Sequence, residues 1–504
     1  MENNINNINL RSSLPRKQDS INQANEKLKS LKRRYDMNYK DIFSGIKATF
    51  NIYKKDLPVL LFAILMFKFG RRWQDGMMAM IFFPAIFITM LKMSLEHKLY
   101  TLIFLIPWAE SRQIPGQMMG LVGLNPVNVL FIMIGTSIAY RQKKIYAKSS
   151  LNRWIFFYMS LILVACLRGI DTIPYFDGYF TISSYLLDVF LKPLEIVLAG
   201  TMAFYILKDP EEMTRFLRMI KISGALLAVY VVFRGGGTLG GVYKLTRTLS
   251  IHKNALSFIF LTLLTMNLAT MNYGEKGERI INKIFNVLYI LGIMLTFSRQ
   301  GYISCVLILF LYFVKKGRKW FFVFIIGIVL FWAYFMPVEV KRRIFTGTVK
   351  GEEMGVSEHL TGDVTAGREA AWEASMPVIK EAFWFGRGMY TFAKEVKYGR
   401  PELPQHPHNA YIQSMLDNGL IGTILFLSFF FYLLFLSWKI YRKSNSIFAS
   451  AYGYGFAVTI LVFLIQGVTG FRFYPYEESY FIWFYLGGLM WVEKNQKYLS
   501  DNGL

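Results

Sequence analysis

The chain has 504 residues, of which 54% are hydrophobic, 17% aromatic and only 18% charged, and its formal net charge is +24. A soluble domain carries about 25% charged residues, whereas here the apolar residues run in unbroken stretches such as 255–274 and 418–438, neither of which holds a charge. This excludes an ordinary soluble protein and assigns most of the positive charge to cytoplasmic loops, where Lys and Arg set orientation, rather than to nucleic-acid binding.

Residues 1–35 are rich in Asn, Ser, Lys and Arg and read as disordered. No apolar core lies near Met1, so no cleavable signal peptide is expected. Phe43, Ile46, Phe50 and Tyr53 follow at helical spacing among lysines, which fits either a short amphipathic helix on the inner membrane surface or a plain linker. Fourteen apolar runs then predict membrane spans near 57–71, 77–94, 98–110, 119–140, 152–169, 179–207, 217–235, 254–272, 282–298, 301–315, 318–336, 408–438, 448–470 and 477–493. The third is shortened by Pro107 and Glu110 and reads as weak or re-entrant.

With the N-terminus inside, every inside loop is basic: Lys92/Lys98, Arg141/Lys143/Lys144, 208–221, Lys276/Arg279/Lys283, Lys315/Lys316/Arg318/Lys319, Lys439/Arg442/Lys443 and Lys494/Lys497. Arg71-Arg72 is the main exception. The chain thus divides into a basic cytoplasmic segment 1–56, eleven spans in 57–336, an extracytoplasmic loop 337–407, three spans in 408–493 and a cytoplasmic tail 494–504. The long loop carries Trp372, Phe383, Trp384 and several glycines, and predicts a small folded cap.

Four features fall outside in this topology: residues 234–254, the turn 298–301, the long loop, and residues 472–478. An arginine near a span end commonly snorkels to lipid headgroups. Outside arginines nevertheless oppose the orientation signal, which singles out Arg247, Arg299 and Arg368. Their planar guanidinium groups match phosphate oxygens in pairs, so several around one cavity would hold a lipid diphosphate. His408 opens the next span. It either caps a helix or serves as a general base, since a free imidazole has a pKa of about 6.5 and accepts a proton near neutrality. Gly419 and Gly422 fit close helix packing. Cys166 and Cys305 lie in apolar runs with no metal-ligand or disulfide pattern, and there is no Asp-x-Asp motif, Walker loop or zinc spacing, so no metal or other cofactor is implied.

An ordered set of short motifs runs from residues 247–254 through Thr296-Phe297-Ser298-Arg299, Gly367-Arg368-x-x-x-Trp372, Gly386-x-Gly388-x-x-x-Phe392 and His408-Asn409-x-Tyr411 to Asp417-x-Gly419-x-x-Gly422. Over roughly residues 200–440 this resembles the O-antigen ligase and O-antigen polymerase superfamily. The resemblance implies an all-α integral membrane protein of the multi-span GT-C type with about twelve spans, in a bacterial plasma membrane. It implies a metal-independent glycosyltransferase acting on the outer face in cell-envelope polysaccharide synthesis. Its donor would be a polyprenyl-diphosphate-linked glycan and its acceptor a sugar, lipid or protein hydroxyl, with membrane lipids as surroundings and no nucleic-acid partner. It further implies His408, Arg368 and Arg299 as catalytic residues and Arg247, Asn409 and Tyr411 as substrate-binding ones, with Asp417 and His406 as weaker candidates. One departure concerns the Ser-Arg turn, where the family often places a small residue next and this chain has Gln300 before Gly301. The rival readings are a lipid-linked-oligosaccharide flippase or transporter, which would show two related halves, and a membrane scaffold, which gives no reason for the ordered Arg and His residues.

Overall fold

The computed structural model describes residues 54, 57–69, 76–109, 111, 117–118, 121–122, 125–141, 149–176, 181–235, 239–274, 276–330, 333–334, 341, 368–399, 406–470 and 473–501. The readings made on 1–53, Arg71-Arg72, Lys143/Lys144, most of 337–407 including Gly367, and Arg472 lie outside the described residues.

The chain is an all-α integral membrane protein. Its helices are α1 (Leu57–Phe69), α2 (Gly76–Lys92), α3 (Leu95–Leu105), α4 (Pro126–Arg141), α5 (Ser150–Arg168), α6 (Ile182–Ile206), α7 (Pro210–Gly235), α8 (Leu239–Leu249), α9 (Lys253–Thr270), α10 (Lys276–Leu295), α11 (Arg299–Lys316) and α12 (Arg318–Leu330). There follow α13 (Arg368–Glu381), α14 (Thr391–Gly399), α15 (Ala410–Lys443), α16 (Ile447–Gly467) and α17 (Tyr480–Asp501). A helix occupies each of the fourteen predicted ranges. Among the described residues, five helices (α5, α6, α7, α15 and α16) are each long and apolar enough to cross a membrane, and six if the bent pair α8–α9 counts as one span. The range 119–140 opens with a two-residue antiparallel pair, Gln117–Met118 with Leu121–Val122, and becomes helical only at Pro126.

Several helices depart from simple crossings. Helix α3 has 11 residues and ends in a 3-10 turn at Pro107. At 1.5 Å per residue it covers about half of a hydrocarbon core of ~30 Å. Leu99, Tyr100, Ile103 and Leu105 are all buried, so it is an internal helix rather than a lipid-facing one. Helix α6 contains a π-helical stretch, Leu187–Leu191, just ahead of Pro193; the wider turn accommodates a residue that has no N–H to donate. Helix α8, in the range read as a loop, buries Val242, Leu245 and Leu249 and exposes Tyr243, Lys244 and Arg247. That one-sided pattern fits a helix lying along an interface, and it meets α9 at 79°.

The centre is a set of long helices in series: α15 packs on α16, α16 on α9, α9 on α10, and α10 on α7, while α6 pairs with α17. Small residues permit the closest approach, since a Cβ on Gly200 would strike the Trp483 backbone and one on Gly487 the Gly200 carbonyl. Aromatic side chains fill the space between α5, α15 and α17: Tyr158 stacks on Phe429 at 4.5 Å, lies 5.7 Å from Trp483, and donates a 2.6 Å hydrogen bond to the Phe473 carbonyl. Helices α13 and α14 form a cap whose Ala371, Ile379, Phe392 and Val396 cluster with Leu416 of α15.

Between the cap helices, the segment 383–389 is laid into a break in α15. Gly419 has φ +66 inside that helix, which frees backbone groups on both sides of it. The segment takes them up: Arg387 N donates to Leu416 O at 2.8 Å, Gly388 N to Asp417 O at 3.0 Å, Leu420 N to Phe383 O at 2.7 Å and Ile421 N to Trp384 O at 3.2 Å. Arg168, at the end of α5, donates to the Phe385 and Gly386 carbonyls, and Met389 N to Ala165 O at 3.0 Å. Irregular backbone inside a membrane protein survives where protein supplies the missing hydrogen bonds. Gly386 (φ +67) and Gly419 lie backbone against backbone, so a Cβ on either would collide.

Candidate active site

The N-termini of α9, α11, α13 and α15 gather at one end of the bundle. Ser298 caps α11 by accepting from Gly301 N at 3.2 Å, and its hydroxyl bonds Asn254 Oδ1 of α9 at 2.8 Å. Gly301 sits against Ser257 of α9, where a Cβ would collide, so the small residue the turn requires is present one position after Gln300. Gln300 faces the other way and donates to the Gln466 carbonyl of α16 at 3.0 Å. Asn409 caps α15, with its Oδ1 accepting from Tyr411 N at 2.9 Å and Ile412 N at 3.2 Å. Helix N-termini carry unpaired N–H groups and partial positive charge, and together they favour an anion.

A cavity of about 390 Å³ opens at the N-termini of α9 and α15. Its walls include His252, His406, His408, Asn409, Gln413, Tyr476 and Glu478. His408 is exposed, and its backbone is left-handed at φ +50. Trp372 of the cap holds the preceding carbonyl, Pro407 O, through Nε1 at 2.7 Å. Across from it lies Gly470, left-handed at φ +122, where a Cβ would make ordinary contact with His408, 3.6 Å from Nδ1. The other non-glycine residues with positive φ among those described are Ser250, Phe297 and Tyr390, each in a turn that leads into α9, α11 or α14. Such backbone costs about 1–3 kcal/mol per residue and tends to collect at functional sites.

Arg299 and Arg368 are the first residues of α11 and α13. Arg368 is half-buried, and burial, followed by the like charge of Arg299, pushes its guanidinium below its ordinary value. His252 is pushed down as well, first by burial and then by Lys253 and Arg368. Its Nδ1 accepts from Asn254 N at 3.3 Å, so the Nε2–H points elsewhere. The two arginines and His252 thus form one electrostatic group beside the cavity.

The remaining sequence candidates are placed as follows. Arg247 is exposed on α8, one turn before Ser250 of the cavity wall. Tyr411 donates its hydroxyl to the Leu464 carbonyl at 2.9 Å and packs edge-on against Phe473 at 4.8 Å, which ties α15 to α16. Asp417 is buried and accepts from Gln413 Nε2 at 2.9 Å and Tyr474 OH at 2.8 Å. With His406, Gln413 and Tyr476 it lines a small annex of about 30 Å³ that continues the main cavity. His252, Gln413, Tyr476 and Glu478 were not assigned roles from the sequence, although His252 lies within the 247–254 motif and Tyr476 and Glu478 within the outside feature 472–478. Among the described residues, no group of three or more His, Cys, Asp or Glu could hold a metal ion.

Residues 284–427 match the family model described as O-antigen ligase. The match supports membership in the O-antigen ligase family. It runs from α10 through the cap into the first half of α15 and includes Arg299, Arg368, His408, Asn409 and Tyr411. Residues from outside it, His252, Tyr476 and Glu478, complete the cavity. The family indicates an O-antigen ligase- or polymerase-like function in surface polysaccharide synthesis. No curated protein matches the chain.

Proposed function

We propose that this protein transfers a glycan from a polyprenyl-diphosphate carrier to an acceptor hydroxyl, at the outer face of a bacterial plasma membrane and without a metal. The observation that supports the reading is a 390 Å³ cavity lined by His408, His252 and the N-termini of α9 and α15, with Arg368 near enough to act electrostatically on His252 and to feel Arg299. Arg368 and Arg299 bind the diphosphate and stabilise the negative charge that grows on it as the anomeric C–O bond breaks. His408 takes the proton of the acceptor hydroxyl as its oxygen attacks the anomeric carbon. Diphosphate is a good leaving group, so little general-acid assistance is needed. Arg247, exposed on the neighbouring α8, reaches toward the carrier's headgroup, Asn409 fixes the His408 turn by capping α15, and Tyr411 secures the same helix to α16.

The test compares cells carrying wild-type protein with cells carrying His408→Ala at matched expression. Carrier-linked glycan and finished surface glycan are extracted and sized. Accumulation of carrier-linked glycan with loss of product is the expected result. Single repeats building up identify a polymerase, and long finished chains a ligase. A variant that behaves like wild type refutes the role of His408. Carrier-linked glycan that changes membrane face with the protein's presence would instead make it a flippase.

A further inference from the structure

Beside the cavity lies a buried carboxylate that takes no part in the transfer step. Asp417 of α15 is 1% exposed, and an ionisable side chain inside a membrane protein is costly to bury and marks function more often than packing. Its oxygens act as acceptors. Gln413 Nε2 donates to Oδ1 at 2.9 Å and to Oδ2 at 3.0 Å, and Tyr474 OH donates to Oδ2 at 2.8 Å. Asn418 Nδ2 in turn donates to the Tyr474 oxygen at 3.0 Å. Every proton in this chain runs toward the carboxylate. The Gln413 amide is therefore held one way round, because with Oε1 toward Asp417 two acceptors would face each other. Oε1 is the end that looks away. Among the described residues it accepts no hydrogen bond, and it is not sealed from solvent. The space Gln413 lines is the main cavity and its annex. Its backbone N donates to Asn409 O at 2.9 Å, so it sits in the turn that Asn409 caps directly after His408.

We propose that Gln413 Oε1 accepts a hydrogen bond from a sugar hydroxyl at the reacting centre, and that Asp417 is the positioning residue that presents it. The inference rests on the transferase reading above. An amide carbonyl accepts but does not donate, so it takes an O–H and repels an anion. That assigns it to the glycan and not to the diphosphate, which Arg299 and Arg368 serve. The surroundings fit a sugar: Tyr390, Tyr474 and Tyr476 line the annex with His406, and aromatic surface with a few oriented polar groups is what small-molecule pockets use. The annex, about 30 Å³, admits a group the size of a hydroxyl, while the ring itself stays in the 390 Å³ cavity. A site built to bond a hydroxyl discriminates strongly against an analogue that lacks it. Gln413 thus determines which sugar is accepted, and Asp417 acts only through it.

The test uses the full chain in membranes and follows release of carrier diphosphate. Carrier-linked glycan and acceptor, both isolated from cells lacking the protein, are varied separately. Gln413→Leu should raise the KM of one substrate by roughly 2- to 12-fold, the worth of one neutral hydrogen bond, and leave the other KM and kcat within about twofold. A rise confined to the acceptor puts the recognised hydroxyl there, and a rise confined to the carrier-linked glycan puts it on the donor sugar. Asp417→Asn lets the amide face either way and should give a smaller change in the same KM. The double variant Gln413→Glu/Asp417→Asn reverses donor and acceptor across the pair and still leaves a carboxylate oxygen toward the cavity. It should recover most of the loss, and it keeps the test decisive if Gln413→Leu folds poorly. Unchanged kinetics in Gln413→Leu, a fall in kcat alone, a rise in both KM values together, or no recovery in the double variant at wild-type Tm would overturn the assignment. Wild-type membranes that release no carrier diphosphate would refute the transferase reading itself, and this assignment with it.

Discussion

At the scale of single residues, the arginines and histidines around the cavity separate by what each can donate. Arg368 presents a planar fork, so Arg368→Lys keeps the charge but loses paired donation to the diphosphate. Loss of one charge-assisted hydrogen bond costs about 1.5–3 kcal/mol, or roughly 10- to 150-fold in rate. Arg368→Ala should therefore slow transfer by at least this factor, with Arg368→Lys in between, in a membrane assay that follows release of carrier diphosphate; a silent Arg368→Ala would remove it from the site. His252 yields a prediction about pH. Folding lowers its pKa, by burial and then by Lys253 and Arg368, so as pH falls below about 6.5 the unfolded chain takes up a proton that the folded chain resists. Stability attributable to His252 is thus intact above that value, declines as pH drops toward the folded pKa, and then levels off. His252→Asn preserves a side chain able to cap α9 and removes the titration. Denaturant midpoints measured between pH 7.5 and 5.5 should fall less in the variant than in wild type, and equal slopes would show that His252 does not titrate this way.

At the scale of elements, the segment 383–389 explains motifs that looked like packing glycines. Gly386 and Gly419 both have positive φ and touch backbone to backbone where α15 breaks. Alanine at either position meets a left-handed strain of about 1–2 kcal/mol and a backbone collision as well. Gly386→Ala and Gly419→Ala should each lower Tm and displace His408 at the head of α15, whereas Gly327→Ala in α12, with nothing within 4 Å of its added Cβ, should be neutral or slightly stabilising. Comparable melting of all three variants would deny the segment its role. The helices themselves were legible because apolar runs of span length need no knowledge of their neighbours. Helix α8 left a signal too, with Val242, Leu245 and Leu249 at helical spacing, but its short length and its two cations hid it in a loop. The break in α15 was not legible, since it depends on Ala165, Phe385 and Asp417 meeting from three distant parts of the chain. The site divides similarly. Arg299, Arg368 and His408 stood out through residue type and order, while Gln413, Tyr476 and Glu478 are common residues whose relevance comes only from where the fold sets them.

At the scale of the whole molecule, the chain has two chemically different ends. One gathers the helix N-termini, the cap and the three cavity histidines. The other holds the basic helix ends Arg442 and Lys443 of α15 and Lys494 and Lys497 of α17. The loops at this second end are rich in Lys and Arg, so our proposal, by the positive-inside rule, puts it in the cytoplasm and the cap and the His408 cavity on the outer face. Carrier-linked donor and acceptor would then meet outside the cell, where the finished glycan belongs. The assignment can be read with thiol labelling, because Cys166 and Cys305 are both buried and give little background. Lys380 of the cap and Lys497 near the end of α17 are exposed. In intact spheroplasts a membrane-impermeant maleimide should label Lys380→Cys, and it should reach Lys497→Cys only after the membrane is permeabilised. The reverse pattern would put the cavity on the cytoplasmic face, and transfer would then have to draw on glycan that has not yet crossed the membrane.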